Sequence, residues 1–288
     1  MDIAVFSDIH GNHVAFEECM HYVLNRKIDK FIFLGDYLGE LPYPQKTMEL
    51  LYNIKSSHEC CFVKGNKEDY WVNHQNRKDE LWEDKSSSTG ALLYTYTNLK
   101  SKDIDFFRDL PTELICNFDV GEPIMVCHGS PNNLFKKMMP NADNEQLILE
   151  QSSFRYNLCG HTHTQRKLME AEKKLFNPGA IGVPLDSGGK AQFMILHSNG
   201  KNDWLEEFVS VEYDRKKIIR EIYDSGLYEA APYWSIITEQ LINTGEISHG
   251  KVLKRAMKHC IEESGKCDWR KIPERYWKMA VEEMFPNL

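Results

Sequence analysis

Short apolar runs of strand length recur through the first two thirds of the chain. They occupy residues 3–6, 31–34, 60–63, 124–127, 156–159 and 193–196. Continuous apolar runs of this length are typical of buried strands. Residues 14–25, between the first two runs, have apolar positions spaced as in a helix that packs on a sheet. The order strand, helix, strand predicts a βαβ unit, and a second predicted helix over residues 44–54 continues the alternation.

The pattern changes twice further along the chain. Residues 70–110 are polar and rich in aromatic side chains at helical spacing, which predicts a helical insertion in the strand series. Residues 113–118 and 122–127 flank a short turn sequence, which predicts a hairpin. Beyond residue 212 the strand pattern stops and helical periods take over. We therefore expect an α/β domain over residues 1–212 and a C-terminal appendage of three or four helices over residues 213–288.

Composition and charge limit the class of protein and its partners. The chain has 288 residues, 42% of them hydrophobic, and its formal net charge is −8. An acidic balance argues against a basic surface that grips duplex nucleic acid through many phosphates, so we expect no duplex nucleic-acid partner. No apolar run approaches the ~18 residues that span a bilayer, and the first residues begin a strand rather than a signal peptide, so we expect no membrane association. The eight cysteines form no CxxC pair and lie partly in apolar runs, which indicates reduced thiols and a cytoplasmic location. The sequence leaves the oligomeric state open.

Candidate metal ligands follow the apolar runs at the point where each predicted strand ends. Taken alone, each has an ordinary alternative: an Asp or Asn can cap a helix or form a turn, and a His can lie on a surface loop. The carboxyl ends of parallel strands meet at one edge of a sheet, however, so residues from five strand ends would lie close together. Mixed imidazole and carboxylate ligands are typical of transition-metal sites. The sequence therefore predicts a metal site formed by Asp8, His10, Asp36, Asn66, His128, His161 and His163.

The motifs that contain these residues resemble those of the calcineurin-like metallophosphoesterases. The match follows the family's order over about residues 1–212, through Asp8-x-His10, Gly35-Asp36, Gly65-Asn66, His128-Gly129 and Gly160-His161-x-His163. The compact spacing is similar to that of the bacterial and archaeal phosphodiesterases and the diadenosine-tetraphosphatase-like members. The resemblance implies an α/β fold, a four-layer α/β/β/α sandwich, here with a helical insertion and a helical C-terminal appendage.

The resemblance also implies two divalent metal ions and a hydrolytic activity. Two ions about 3.5 to 4 Å apart can hold a hydroxide for in-line attack at phosphorus, so the implied reaction is hydrolysis of a phosphodiester or phosphomonoester. Mixed nitrogen and oxygen ligands suit Mn, Fe, Zn, Ni or Co. The family's catalytic roles would fall on Asn66, Lys67 and His128. The first metal would be held by Asp8, His10, Asp36 and His163, and the second by Asn66, His128 and His161, with Asp36 bridging the two.

One position departs from the family's pattern. The family's Gly-Asn-His motif reads Gly65-Asn66-Lys67 here, so a Lys replaces the His that is credited with stabilising or protonating the leaving oxygen. Lys67 can bind a phosphate oxygen as a point charge, donate a proton if its pKa is depressed, or point to solvent. Asn12 can donate to a substrate phosphate or cap the following helix. Asn12 and Lys67 are therefore the candidate substrate-binding residues.

The expected partner is a small-molecule phosphoester, and a nucleotide is one candidate. Aromatic side chains of the insertion, among them Trp71, Trp82, Tyr94 and Phe106, can stack on a base or pack the insertion onto its own core. A different class of function is a non-catalytic scaffold of the same fold that binds a protein partner. The complete set of ligand types favours the enzyme, whereas Lys67 and the long tail keep the scaffold open. The acidic charge disfavours a nuclease.

Overall fold

Two five-stranded sheets form the centre of the fold. The computed structural model describes residues 1–76, 82–139, 143–200, 202–286 and 288. The strands are, in chain order, β1 (Asp2–Phe6), β2 (Lys30–Phe33), β3 (Glu59–Phe62), β4 (Glu113–Cys116), β5 (Ile124–Cys127), β6 (Tyr156–Leu158), β7 (Gln165–Glu170), β8 (Lys173–Pro178), β9 (Ala191–Ser198) and β10 (Trp204–Val211). The first sheet has the order β10-β9-β1-β2-β3 and the second the order β4-β5-β6-β8-β7.

Parallel pairing in each sheet brings the carboxyl ends of neighbouring strands to the same edge. In the first sheet β1, β2 and β3 are parallel, and in the second β5, β6 and β8 are parallel. Antiparallel strands flank both groups: β9 pairs with β1 and β10, β4 pairs with β5 as the predicted hairpin, and β7 pairs with β8.

The alternation of side chains along the strands gives each sheet two apolar faces. In β1, Ile3 and Val5 are fully buried in a cluster between the sheets that includes Leu158 of β6. Phe6 points to the other face and packs edge-on against Phe16, with ring centroids 6.0 Å apart. One face thus forms the contact between the two sheets, and the opposite face receives helices.

Helices cover the outer faces of both sheets. The helices of the first two thirds are α1 (His13–Asn25), α2 (Pro44–Ser57), α3 (Asn66–Gln75), α4 (Gly90–Thr97), α5 (Ser101–Asp109) and α6 (Asp143–Gln151). Residues of α1 and α2 join the apolar cluster on the outer face of the first sheet, and Leu149 of α6 packs on the second sheet with Cys159 and Leu175. The predicted four-layer α/β/β/α sandwich is confirmed.

The region after β10 is helical, as predicted, with more helices than expected. It contains α7 (Arg215–Asp224), α8 (Leu227–Ala230), α9 (Pro232–Thr244), α10 (His249–Ser264) and α11 (Glu274–Met284). Ile218 and Leu241 lie in the same apolar cluster as α1, whereas α9, α10 and α11 surround Trp277 in a cluster of their own. Glu274 of α11 accepts hydrogen bonds from the backbone and hydroxyl of Ser87, both at 2.7 Å. The C-terminal helices therefore pack on the α/β region and on the insertion. The domain division at residue 212 stays a prediction.

The sequence pattern did not predict β7, β8, β10 or α6. Strand β7 has the sequence QRKLME, and β10 has the sequence WLEEFVSV. Both strands lie at sheet edges and are partly exposed along their length, so their sequences mix polar and apolar residues and neither produces a continuous apolar run. No helix within the described ranges is long and apolar enough to cross a membrane.

Candidate metal centre

Loops from both sheets bring the seven predicted ligand residues together. Asp8 and His10 follow β1, Asp36 follows β2, and Asn66 follows β3 at the first turn of α3. The second sheet contributes histidines from the loops after β5 and β6: His128, His161 and His163. All of them lie at the carboxyl edge of the parallel strands, as the sequence pattern predicts.

The backbone at most of these positions is in the left-handed region. The φ angles of Asp8, His10, Asp36, His161 and His163 lie between 51° and 66°. This conformation is uncommon for residues other than glycine, and it costs of order 1 to 3 kcal/mol per residue. Residues in such conformations cluster at functional sites, because the surrounding fold holds them there to aim a side chain.

The first group consists of Asp8, His10 and His163, whose ligand-type atoms lie within 4.8 Å of one another. Asp8 Oδ1 is 3.1 Å from His163 Nε2 and 3.6 Å from His10 Nε2. The two Nε2 atoms are 3.2 Å apart. The three atoms surround one point from three sides.

The second group consists of Asp36, His128 and His161, and Asn66 lies beside it. His128 Nε2 is 3.2 Å from His161 Nδ1 and 3.1 Å from Asn66 Oδ1. Asp36 Oδ2 lies 3.5 Å from His128 Nε2 and 3.6 Å from His10 Nε2. Asp36 therefore stands between the two groups, where one carboxylate can serve both.

Three of the four histidines have one nitrogen held by a backbone carbonyl, and His10 Nδ1 forms an ion pair with Glu40, so the other nitrogen of each faces the centre. His128 Nδ1 donates to Leu34 O at 2.8 Å, and His163 Nδ1 donates to Val183 O at 3.1 Å. His161 Nε2 donates to Phe135 O at 3.2 Å. His10 Nδ1 lies 2.5 Å from Glu40 Oε2. A neutral imidazole that donates through one nitrogen carries a lone pair on the other, and here those lone pairs face one another.

The carboxylates show the same division between a fixed oxygen and a free one. Asp8 Oδ2 accepts from Ser7 Oγ at 2.5 Å and from the His161 amide at 3.0 Å. Asp8 Oδ1 is buried and has no hydrogen-bond partner. Asp36 Oδ1 accepts from the Lys67 amide at 2.8 Å, and Oδ2 faces the histidines. A buried oxygen without a partner beside converging lone pairs fits a divalent transition metal.

The pKa values follow from burial and from these neighbours. Burial lowers the pKa of His161 to about 2, with His128 and Lys137 acting in the same direction, and burial likewise lowers the pKa of His163. Both imidazoles are therefore neutral at pH 7, as metal ligands must be. Burial also disfavours the charge on His10, but Glu40, Asp8 and Asp36 outweigh it and raise the pKa of His10 to about 10. A cation bound at His10 Nε2 would therefore displace a proton from that nitrogen.

Comparison with known proteins agrees with this geometry. The model of the calcineurin-like phosphoesterase superfamily domain matches residues 1–201, which include all seven residues of the centre. The chain belongs to this superfamily. The superfamily typically binds divalent metals, and the α7–α11 region lies outside the matched range.

Several known proteins are similar to this chain in sequence or in structure. An uncharacterized protein of Methanocaldococcus jannaschii is 29% identical over 244 residues, which are 79% of this chain and 94% of that protein. A hypothetical protein of Pyrococcus horikoshii OT3 superposes with a TM-score of 0.72 at 22% identity, over 86% of this chain and 99% of the other. A metallophosphoesterase from Sphaerobacter thermophilus superposes with a TM-score of 0.63 at 21% identity, over 83% of this chain and 100% of the other. At these identities the superpositions show the fold alone.

Glu40 is the residue of the phosphoesterase centre that the sequence analysis missed. Its Oε2 lies 2.5 Å from His10 Nδ1, and its Oε1 accepts from Lys67 Nζ at 2.5 Å. The Glu40 side chain is 5% exposed, and that of Lys67 is 13% exposed. Burial would lower the pKa of Lys67, but Glu40 and Asp36 outweigh it and raise that pKa. The buried contact with Glu40 contradicts the solvent-facing alternative for Lys67, and its phosphate-binding and proton-donor roles stay predictions.

Glu68 and Asn12 have structural contacts. Glu68 is fully buried, and its carboxylate accepts from the amides of Gly65, Asp36 and Tyr37 at 2.7 to 3.0 Å, which joins the loops after β2 and β3. Asn12 caps α1 by accepting from the Ala15 amide at 3.1 Å, and its own amide donates to Gly182 O and Tyr213 Oη. The capping alternative accounts for the polar contacts of Asn12, and its predicted contact with substrate has no support in this geometry.

Proposed function

We propose that this protein is a phosphoester hydrolase that depends on two divalent metal ions. The observation that carries the proposal is the convergence of free imidazole, carboxylate and amide donors from both sheets into two groups that share Asp36. The first ion would be held by Asp8, His10, Asp36 and His163, and the second by Asp36, Asn66, His128 and His161. These donors suit Mn, Fe, Zn, Ni or Co better than a cation that prefers oxygen alone.

The protein's own side chains would bind and orient the phosphoester. Bound ions would polarise the phosphoryl oxygens and lower the pKa of a water for in-line attack. Lys67 lines the same cavity as Asp36 and His161, and Glu40 fixes its ammonium group as a stationary charge for a phosphate oxygen. Asn66 would hold its amide oxygen toward the second ion. The substrate would be a phosphodiester or phosphomonoester, for which a nucleotide is a candidate. A cytoplasmic location is also proposed, supported by eight free thiols.

The test is metal analysis of the purified protein, followed by hydrolysis of bis-p-nitrophenyl phosphate and p-nitrophenyl phosphate after chelation and reloading with Mn²⁺. We expect two metal ions per chain and turnover that requires them. Asp36→Asn should lower kcat/KM by more than the ~10- to 100-fold that is typical of residues that contact a metal-binding side chain but not the metal itself. Asp2→Asn is the matched control, because Asp2 also pairs with a histidine, His197 at 2.9 Å, at the far end of β1.

Two outcomes would overturn the hydrolase. Absence of both metal and turnover would do so, and so would an Asp36→Asn variant that behaves like the wild type. A protein that binds two metals tightly but turns over neither ester would instead favour the scaffold, in which the same fold binds a protein partner.

The proposed role of Lys67 predicts how the rate of hydrolysis depends on the leaving group of the ester. A fixed ammonium stabilises charge on a leaving oxygen but transfers a proton less readily than an imidazole does, so esters with poor leaving groups should react slowly. We expect p-nitrophenyl phosphoesters to be hydrolysed much faster than alkyl phosphoesters. Comparable kcat/KM values for the two series would contradict this role of Lys67.

A further inference from the structure

Two cavities adjoin at the metal centre. The larger, of about 610 Å³, contains His10, Asp36, His161 and His163 in its wall. The smaller, of about 420 Å³, lies between the insertion and the C-terminal helices. The two cavities share wall residues, among them Glu40, Lys67, Trp234 and Lys254. A single ligand can therefore reach from the metal ligands into the smaller cavity.

The wall of the smaller cavity is mostly apolar and aromatic. Its main side chains come from α3, α4, α9, α10 and the turn before α11, and they are Tyr70, Leu92, Trp234, Leu253, Met257 and Trp269. A volume of about 420 Å³ lies within the ~300 to 1,000 Å³ range of small-molecule sites, which are typically apolar with a few polar groups. The family match ends at residue 201, so the walls from α9 and α10 belong to a region outside that match.

Unpaired lysines surround the larger cavity. Lys137, Lys251 and Lys254 line it, and in the described part of the chain none of them has a carboxylate within ion-pair distance. The chain as a whole is acidic, with a net charge of −8, so this concentration of free cations runs against its average. Cationic groups beside a metal centre attract an anionic ligand with more than one negative charge.

The insertion aromatics named in the sequence analysis do not form this cavity. Trp71 is fully buried against Phe107, Trp82 stacks on His74 at 4.0 Å, and Phe106 packs edge-on against Phe62. Packing, rather than base stacking, is what these side chains do. The aromatic surface near the metal centre comes instead from Tyr70, Trp234 and Trp269, which line the cavity; Trp234 also stacks on His249, with ring centroids 4.5 Å apart.

We propose that the smaller cavity binds the flat aromatic group of an organic phosphate, whose phosphate lies among the lysines and metal ligands of the larger cavity. This inference rests on the proposed function, because it names the substrate class of the same site. A charged end and an apolar end joined through Lys67 and Lys254 match a phosphate linked to an aromatic group. That group can belong to a nucleobase or to a simpler aryl phosphate, and both offer the same flat apolar face to the tryptophans.

The test compares pairs of ligands that differ only in the aromatic group. Calorimetric titration of the Mn²⁺-loaded protein would use AMP against ribose 5-phosphate and phenyl phosphate against methyl phosphate, with released phosphate monitored. We expect the aromatic member of at least one pair to bind about fivefold tighter or more, the low end of base stacking on aromatic side chains. A preference for AMP alone assigns the cavity to a nucleobase, and a preference for phenyl phosphate alone assigns it to an aryl group. Equal affinities within both pairs would overturn the inference.

Variants of the cavity wall separate this site from general effects on folding. Met257→Trp fills the cavity and Trp269→Ala removes one aromatic wall, so both should abolish the aromatic preference and leave ribose 5-phosphate affinity unchanged. Met279→Trp is the control, because Met279 is 44% exposed on α11 and lies outside the cavity. A preference that survives in both folded wall variants would also overturn the inference.

The charged end has its own variant, and the readout is independent of turnover. Lys254→Ala should weaken both members of each pair equally, whereas Lys258→Ala, one turn further along α10 and 3.7 Å from Glu262, should weaken neither. An aromatic preference in a protein that hydrolyses nothing would support the cavity and reject the hydrolase. Hydrolysis without any preference would do the reverse.

Discussion

Replacement of Glu40 by Gln tests the contact that joins the metal ligands to Lys67. The two oxygens of Glu40 serve different partners, His10 Nδ1 and Lys67 Nζ, each at 2.5 Å. A Gln side chain keeps the shape, but it presents one oxygen and one NH2 group. It can therefore accept from His10 or from Lys67 but not from both, and its NH2 group opposes whichever donor remains.

Two magnitudes follow from this geometry. Loss of a carboxylate that orients a ligating histidine typically lowers metal affinity by about 10- to 100-fold, which corresponds to about 1.4 to 2.8 kcal/mol. Loss of one partner of a buried ion pair typically destabilises a protein by about 3 to 5 kcal/mol. The Lys67 side chain is 13% exposed, so we expect the decrease in the free energy of unfolding to lie at the low end of that range.

The assay measures both quantities on the same variants. Mn²⁺ titration by calorimetry gives metal affinity, and urea denaturation of the metal-free protein gives stability. Glu221→Gln is the matched control, since Glu221 also lies between a histidine and a lysine, His13 at 3.2 Å and Lys46 at 2.8 Å, away from the metal ligands. It should lower stability without changing metal affinity.

A double variant separates the two roles of Glu40. Glu40→Gln with Lys67→Met removes the unpaired ammonium, so stability should recover toward the wild type while metal affinity stays low. Wild-type metal affinity in the single variant would refute the reasoning. Full recovery of affinity in the double variant would also refute it, because Glu40 would then only neutralise Lys67.

Three further predictions concern residues around the centre. Burial lowers the pKa of His249 to about 3, and its Nε2 lies 2.8 Å from Thr238 Oγ1. Because the pKa of His249 in the folded state is below the unfolded value of 6.5, its contribution to stability is lost as the pH falls below 6.5. The difference in free energy of unfolding between wild type and His249→Gln should therefore shrink by about 2 kcal/mol from pH 7.5 to pH 5. A difference that does not change with pH in urea denaturation would contradict this. In Gly65→Ala the new Cβ would lie 2.2 Å from the Asp36 amide nitrogen, so metal content measured by mass spectrometry should fall, and normal content would speak against the close approach. Trp71→Ala should lower the free energy of unfolding by about 3 to 5 kcal/mol and leave KM unchanged. A raised KM at normal stability would instead indicate that Trp71 contacts the substrate.

The grouping of the candidate ligand residues at one sheet edge could be predicted from sequence because each residue belongs to a local signal. His128 follows an apolar run directly and Asp36 follows one after a single glycine, and parallel pairing brings the ends of such runs to one edge. Asn12 shows the limit of this argument. A residue next to a ligand in sequence can turn away from the site, and its buried capping role depends on where Gly182 and Tyr213 lie.

Glu40 and the cavity walls could not be predicted in the same way. Glu40 reaches His10 because the loops after β1 and β2 run side by side, with backbone hydrogen bonds from Gly11 to Tyr37 and from Leu41 to His10. Its one sequence signal is a charge in the otherwise apolar stretch from Tyr37 to Leu41. Trp234 and Lys254 lie nearly 200 residues or more from the first ligands, so their place beside the centre follows from the packing of the whole chain.

Because the candidate metal ligands are divided between the two sheets, metal binding would depend on the assembled fold. Each group combines a carboxylate from the first sheet with at least one histidine from the second, so neither sheet alone carries a complete group. A partly folded chain with only one sheet formed would lack a complete ligand group and would bind the ions much more weakly than the native state. Each ion should therefore stabilise the native state and no intermediate, by about 2.7 kcal/mol at a free concentration 100 times its Kd. A supply of metal would thus shift the folding equilibrium toward molecules in which both sheets are packed together.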